Sequence, residues 1–232
     1  NMLFFDPRYV ILVAVPSLIL AIWAQIKVQG ALRRYSRVPV ASGLSGAKAA
    51  AAILRANGVQ GVTIEPTDGT LSDHYDPVAH NLRLSRDIYA GRSLAAVGIA
   101  AHEAGHALQQ ARAYAPLALR SAIVPMAAIS NLAWPILIVG LLLRATPLGG
   151  ILVYGTILLF LAVVVLQVVN LPVEYNASRR AREALLRHGI VNSSESVGVK
   201  AVLDAAALTY VAAALGAILQ LLYFLSIARR QR

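Results

Sequence analysis

The sequence predicts a mainly α membrane protein, with about four transmembrane helices and a small α+β minidomain carrying a short β-hairpin. Three observations lead there. Of the 232 residues, 58% are hydrophobic and only 14% charged, and the mean hydropathy is +0.64. That is more apolar and less charged than an ordinary soluble domain. Four segments offer the roughly 20 consecutive apolar residues that a bilayer crossing needs. Two polar stretches between them carry helix and strand patterns of their own.

Taken in order, the first span is "YVILVAVPSLILAIWAQIKV", residues 9–28. It has no cationic leader and no small-residue cleavage site, so it reads as a retained span rather than a signal peptide. Region 29–120 follows as a folded unit. "SGLSGAKAAAAILRANGV" (42–59) has a serine start, an alanine-rich periodic body and an Asn-Gly end, which predict a helix. "VTIEPT" (62–67) predicts a strand, and "LSDHY" (71–75) with "LRLS" (82–85) predict a β-hairpin. Residues 92–113 predict a helix whose apolar run, Leu94 to Ala101, is too short to cross a membrane. Spans two (121–143) and three (148–169) are joined by the four residues "RATP", a tight helical hairpin. Pro16, Pro125 and Pro135 predict kinks, which a bundle tolerates. Region 170–206 predicts a helix from about Val173 to His188, a short loop, and a helix leading into span four, 207–228.

Two spans lie between the polar regions, so both regions emerge on one side. They hold most of the 21 Lys and Arg residues, and the positive-inside rule places them in the cytoplasm with both termini outside. The tail "ARRQR", with Arg229, Arg230 and Arg232, runs against that assignment. The net charge of +10 is thereby accounted for by topology. Its cations are not interleaved with aromatics, so no nucleic-acid partner is expected. The span interiors carry no ionisable residue, which argues against a transporter. With no cysteine, disulfides, thiolate ligands and thiol nucleophiles are excluded.

The chemistry concentrates in "AAHEAGHALQ". Residues i and i+4 share a helix face, so His102 and His106 can present their rings to one metal ion. Glu103 sits about 100° around the helix, within reach of a water on that metal. H-E-x-x-H on a helix is the zinc-hydrolase signature, with the glutamate as general base. With five His and five Glu in the chain, chance produces it on the order of 0.002 times. Ala100, Ala101, Ala104 and Ala107 leave few polar partners for a merely structural cluster.

A catalytic zinc keeps three protein ligands and one open position, and no third histidine follows His106. Among the remaining carboxylates Glu174 is best placed. It stands just past span three, and the face at 174, 177, 178, 181 and 185 reads Glu, Ala, Ser, Ala, Leu, small enough to press against the His102 helix. The competing reading is a carboxylate near the positive end of a helix. Glu183 and Glu195, among basic or polar neighbours, read as solvated.

"FFDPRY", "SGLSGA", "LSDHYDP", "LRLSRDIY", "AAHEAGHALQ", "YAPLALRSA" and "LPVEYNASRRA" together resemble the membrane zinc metallopeptidases of the YugP type, over nearly the whole chain. The chain is more distantly similar to HtpX-type and CAAX prenyl proteases, whose second motif is E-x-x-A-D. The resemblance implies a zincin-like (gluzincin) minidomain in the prokaryotic plasma (inner) membrane. It implies one Zn²⁺ per chain on His102, His106 and Glu174, Glu103 as base, and a protein or peptide substrate. Two positions depart from it: Ser178 stands at the E-x-x-A-D aspartate, and Asn176 where the YugP-type pattern leads one to expect an aspartate. By likeness to zincins, "LSDHY" or "LRLS" would pair with extended substrate, with His74 and Tyr75 lining the cleft. Tyr114, Tyr175, Arg179 and His188 have the chemistry of an oxyanion partner, though packing or a solvated charge suits each as well.

Two functions follow from this. The first is an integral-membrane, zinc-dependent endopeptidase acting from the cytoplasmic face. The alternative is a non-catalytic scaffold or adaptor in which zinc, closed by a fourth protein ligand, clamps region 29–120 to the helix after span three. The lipid bilayer is a partner in either case, and a homo-oligomer or an adaptor subunit is compatible with both.

Overall fold

The computed structural model describes residues 6–70, 72–129, 132–143 and 145–229, with only the backbone at 126, 127 and 229. The Arg230 and Arg232 of the basic tail, and Leu71 of the expected hairpin, therefore lie outside the described residues. The chain divides into two compact units. One comprises Asn1–Ala24, Ala118–Leu171 and Thr209–Arg232, and the other Gln25–Leu117 with Pro172–Leu208.

The first unit is helical and apolar. α1 (Pro7–Tyr9), a π-helical turn at Val10–Ala14 and α2 (Val15–Tyr35) run on as one helix, Pro7–Tyr35. α8 (Pro147–Arg187) and α9 (Ser193–Arg229) are the other two helices long and apolar enough to cross a membrane. Over the expected span at 121–143 the structure describes two apolar helices, α6 (Ala115–Ile129) and α7 (Ala133–Leu142), and residues 130 and 131 lie outside the described residues. Within this unit Tyr9, Trp134, Phe160 and Phe224 pack edge to face, and Tyr223 lies tilted against Tyr9 and Phe224, in a cluster with Leu137 and Val153. The Tyr223 hydroxyl donates to Asp6 at 2.8 Å. Outside this core large apolar side chains stand exposed along every helix, among them Ile11, Leu18, Ile151, Leu158 and Leu222. Exposed apolar surface of that extent is what lipid contact requires.

The second unit holds all of the β-structure and the H-E-x-x-H helix. α3 (Gly46–Ala56) is capped by Ser45, whose Oγ accepts from Lys48 N–H, and it ends at Gly58 with φ +70°. β1 (Thr63–Thr67), β2 (His74–Asp76) and β3 (Asn81–Ser85) form a sheet in the order β1-β3-β2, with β3 parallel to β1 and antiparallel to β2. The hairpin is therefore β2–β3, closed by the Asp76 carboxylate accepting from the Val78 and Ala79 amides. β3 is paired on both sides, so "LRLS" has no edge left for a substrate strand; β2 keeps one. A short α4 (Arg86–Ala90), which the sequence did not suggest, leads to α5 (Leu94–Ala111). Its N-cap Ser93 accepts from Ala96 N–H at 3.2 Å.

α8 corrects a second expectation. No helix starts at Val173, because α8 continues through Pro172 to Arg187. Proline removes one backbone hydrogen bond, to the carbonyl four residues back, and a helix of this length absorbs the loss. Glu174 is thus an interior residue, and the reading of it as an N-terminal dipole carboxylate falls. α9 does begin with a cap: Asn192 Oδ1 accepts from Glu195 N–H, and Glu195 Oε2 accepts from Asn192 N–H, both at 2.9 Å. The other oxygen of Glu195 accepts from Ala41 N–H at 2.6 Å. Glu195 is a clamp between the α9 start and the segment before α3, not a solvated charge.

α5 lies in the core of this unit against α3, α8 and α9. A Cβ at Gly98 would come to 3.2 Å from Val199 of α9, and one at Gly105 to 2.6 Å from the carbonyl oxygen of Ala177 on α8. Gly105→Ala therefore forces α5 and α8 apart, and a loss of about 1–3 kcal/mol is expected in denaturant unfolding of the detergent-solubilised protein. Gly30→Ala, whose added methyl group would meet nothing within 4 Å, should stabilise or be neutral in the same assay.

Candidate metal centre

The close approach at Gly105 brings one face of α5 onto one face of α8. On α8 that face is Glu174, Ala177, Ala181 and Leu185, all buried, with Ser178 partly so. On α5 it is His102 and His106, whose rings stand nearly perpendicular with centroids 4.8 Å apart. Nε2 of His102 lies 3.1 Å from Glu174 Oε2, and Nε2 of His106 lies 3.6 Å from the same oxygen. A tetrahedral zinc with bonds of about 2.0–2.1 Å separates its ligand atoms by about 3.3–3.4 Å. The two measured separations bracket that value, so each histidine nitrogen stands about as far from the carboxylate oxygen as two ligands of one zinc do, and the three ligand atoms lie within 4.8 Å of one another.

The electrostatics point the same way. Glu174 is 2% exposed, and a buried carboxylate is costly unless a cation or hydrogen-bond donors compensate it. Burial works against a charged His106, yet hydrogen bonding to Glu174 and the charges of Glu103 and Glu174 outweigh it and raise its pKa. The pocket favours positive charge. Among the described residues His102, His106 and Glu174 are the one group of three or more such side chains disposed to hold a metal ion. Among the described residues no fourth histidine or carboxylate joins them.

Glu103 is 8% exposed and, among the described residues, has no hydrogen-bond or ion-pair partner. Ser178 Oγ lies 3.0 Å from Nδ1 of His102, so a hydroxyl occupies the place where the resemblance led one to expect a carboxylate. Asn176 reaches the site indirectly. Its Oδ1 accepts from Gln109 Nε2 at 3.1 Å and from Arg180 Nε at 2.7 Å. Gln109, fully buried, meets His106 Nδ1 with its Oε1 at 3.0 Å and donates to the Val173 carbonyl at 2.7 Å.

Gln109 is the residue that sequence reasoning passed over. Its signal was a long polar side chain three positions after His106 on an otherwise apolar helix. Gln110 was missed as well. It accepts from the Tyr75 hydroxyl at 2.6 Å and donates to the Pro77 carbonyl at 2.9 Å, which fastens β2 to α5 one turn past His106. His74, by contrast, is exposed and bonds locally to the Ser72 carbonyl. Tyr114 lies under the Arg180 guanidinium, 5.8 Å from ring centroid to Cζ. Tyr175, Arg179 and His188 are exposed, with Arg179 beside Glu183. Among the described residues none of these four hydrogen-bonds to the cluster.

Comparison with known proteins bears on this geometry. The family described as "Putative neutral zinc metallopeptidase" matches residues 10–229. The chain is 44% identical over 218 residues to the "Putative membrane protease YugP" of Bacillus subtilis (strain 168), covering 94% of this chain and 95% of that protein. No solved structure matches.

Elemental analysis of the detergent-purified protein should find about one zinc per chain, and Glu174→Ala should lose most of it. Full retention in the variant would remove Glu174 from the ligand set.

Proposed function

This chain belongs to the putative neutral zinc metallopeptidase family, and on that premise we propose that it is an integral-membrane, zinc-dependent endopeptidase of the gluzincin type. The observation that carries the reading is the convergence of two imidazole nitrogens and one carboxylate within 4.8 Å of one another, beside the buried Glu103. His102, His106 and Glu174 are the residues that would hold the ion. Zinc bound there would supply Lewis acidity toward a water and toward a peptide carbonyl. Glu103 takes the proton from the attacking water as its oxygen bonds to the carbonyl carbon. It then delivers that proton to the amide nitrogen as the C–N bond breaks, leaving an amine and a carboxylic acid, whose remaining water proton passes to the amine to give a carboxylate and an ammonium. The free edge of β2, fastened to α5 through Tyr75 and Gln110, is the strand on which extended substrate would lie.

A site shared by Glu174 and the histidines supports an even number of crossings between Leu117 and Pro172, where the chain leaves and re-enters the His102-bearing unit. We read α8 as one and α6 with α7 as the other, four spans in all with α2 and α9. The cationic surplus of 29–120 and 170–206 supports a site on the cytoplasmic face of the plasma membrane.

Glu103→Gln should lower cleavage of dye-labelled casein by about 10²–10⁴-fold with zinc content unchanged; zinc loss in that variant would assign Glu103 a structural role instead. Because the chain has no cysteine, single cysteines can map the topology in whole cells with a membrane-impermeant thiol reagent. Ala145→Cys should react from outside, and Lys48→Cys and Arg187→Cys only after permeabilisation. Finding positions 48 and 187 on opposite sides would be incompatible with a shared site.

A further inference from the structure

The two histidines are held differently at their outer nitrogens. Nδ1 of His102 meets the Ser178 hydroxyl, which can donate or accept, so that bond leaves the ring's tautomer open. Nδ1 of His106 meets Gln109, and there the direction is forced. Arg180 can only donate, and its Nε lies 2.7 Å from Asn176 Oδ1. Asn176 therefore turns its oxygen, not its amide nitrogen, toward the pair of donors. The Val173 carbonyl can likewise only accept. Gln109 faces both oxygens, at 3.1 Å and 2.7 Å, and must present its NH₂ to them. Its Oε1 is left for His106, which must donate from Nδ1. In a neutral imidazole Nε2 then carries the lone pair, and Nε2 is the atom aimed at Glu174. Flipping the Gln109 amide would set its oxygen against two other acceptors in a fully buried place, with the loss of both hydrogen bonds.

We propose that Gln109 is a positioning residue that holds His106 in the tautomer competent to bind metal, and that Asn176 and Arg180 hold Gln109 in turn. This rests on the zinc reading of the site above. It also bears on one departure from the family pattern. At 176, where an aspartate was expected, a neutral amide stands, and the amide–amide–guanidinium chain orients the His106 ring through it.

The test uses the full chain in detergent, labelled with ¹⁵N-histidine, with side-chain nitrogen shifts of His106 assigned by its own substitution. Metal-free wild type should show the proton on Nδ1. Gln109→Leu should lose that preference and raise the zinc dissociation constant, measured by chelator competition, about 10–100-fold. Asn176→Asp, which still accepts from both Gln109 and Arg180, should retain the tautomer. In the neutral ring, a proton on Nε2 in place of Nδ1 of wild-type His106, or an unchanged tautomer and zinc affinity in Gln109→Leu, would overturn the proposal. Should Gln109→Leu fail to fold, the wild-type and Asn176→Asp spectra, taken at a pH where the ring is neutral, decide. If wild type binds no zinc, the peptidase reading fails, while the metal-free tautomer still decides this one.

Discussion

The site depends on how closely two helix backbones approach. Position 105 of α5 has room for a hydrogen and nothing larger, because the Ala177 carbonyl of α8 would be 2.6 Å from a Cβ there. At that spacing imidazoles from one helix and a carboxylate from the other share a volume the size of one ion. One more methyl group in the seam would move Glu174 outward by a distance comparable to the tolerance of a metal–ligand bond. The alanines that line the rest of the seam, Ala104 on α5 and Ala177 and Ala181 on α8, are fully buried for the same reason. In a core of this kind small residues are not weak packing; they set the distance between the elements.

That contact also brings an electrostatic problem into the core. Glu174 is almost wholly removed from water, where an unpaired carboxylate would be costly. Two histidines compensate it only to the extent that they carry charge, and a divalent cation would do so fully. The hydrogen bonds behind the histidines are neutral: a serine hydroxyl for one and a glutamine amide for the other. The negative charge is thus confined to Glu174 and Glu103, the two positions the proposed chemistry uses.

The long helices join this chemistry to the apolar part of the chain. α8 carries lipid-compatible residues over its first half and Glu174, Asn176, Ser178 and Arg180 over its second, without a break at Pro172. Continuity matters here, because a hinge at 172 would let Glu174 swing relative to α5. The Gln109 hydrogen bond to the Val173 carbonyl ties α5 to α8 one residue from the ligand. Glu195, at the start of α9, makes a comparable tie to the backbone of Ala41.

Much of this was legible along the chain. Periodicity marks α3 and α5, and continuous apolarity marks the long helices. The H-E-x-x-H spacing names three of the four central residues, because a helix turns i and i+4 to one side whatever surrounds it. The small-residue face of 174–185 could be read for the same reason. Sequence alone could not settle what depends on partners distant in the chain. That β3 is the paired centre of the sheet follows from β1 choosing it, a contact no local pattern encodes. Glu195 reads as a solvated charge until Ala41 is placed beside it. Gln109 reads as one polar residue among apolar ones until Val173 and Asn176 arrive from α8. A donor or acceptor has a role only once its partner is fixed in space, and tertiary packing supplies that partner.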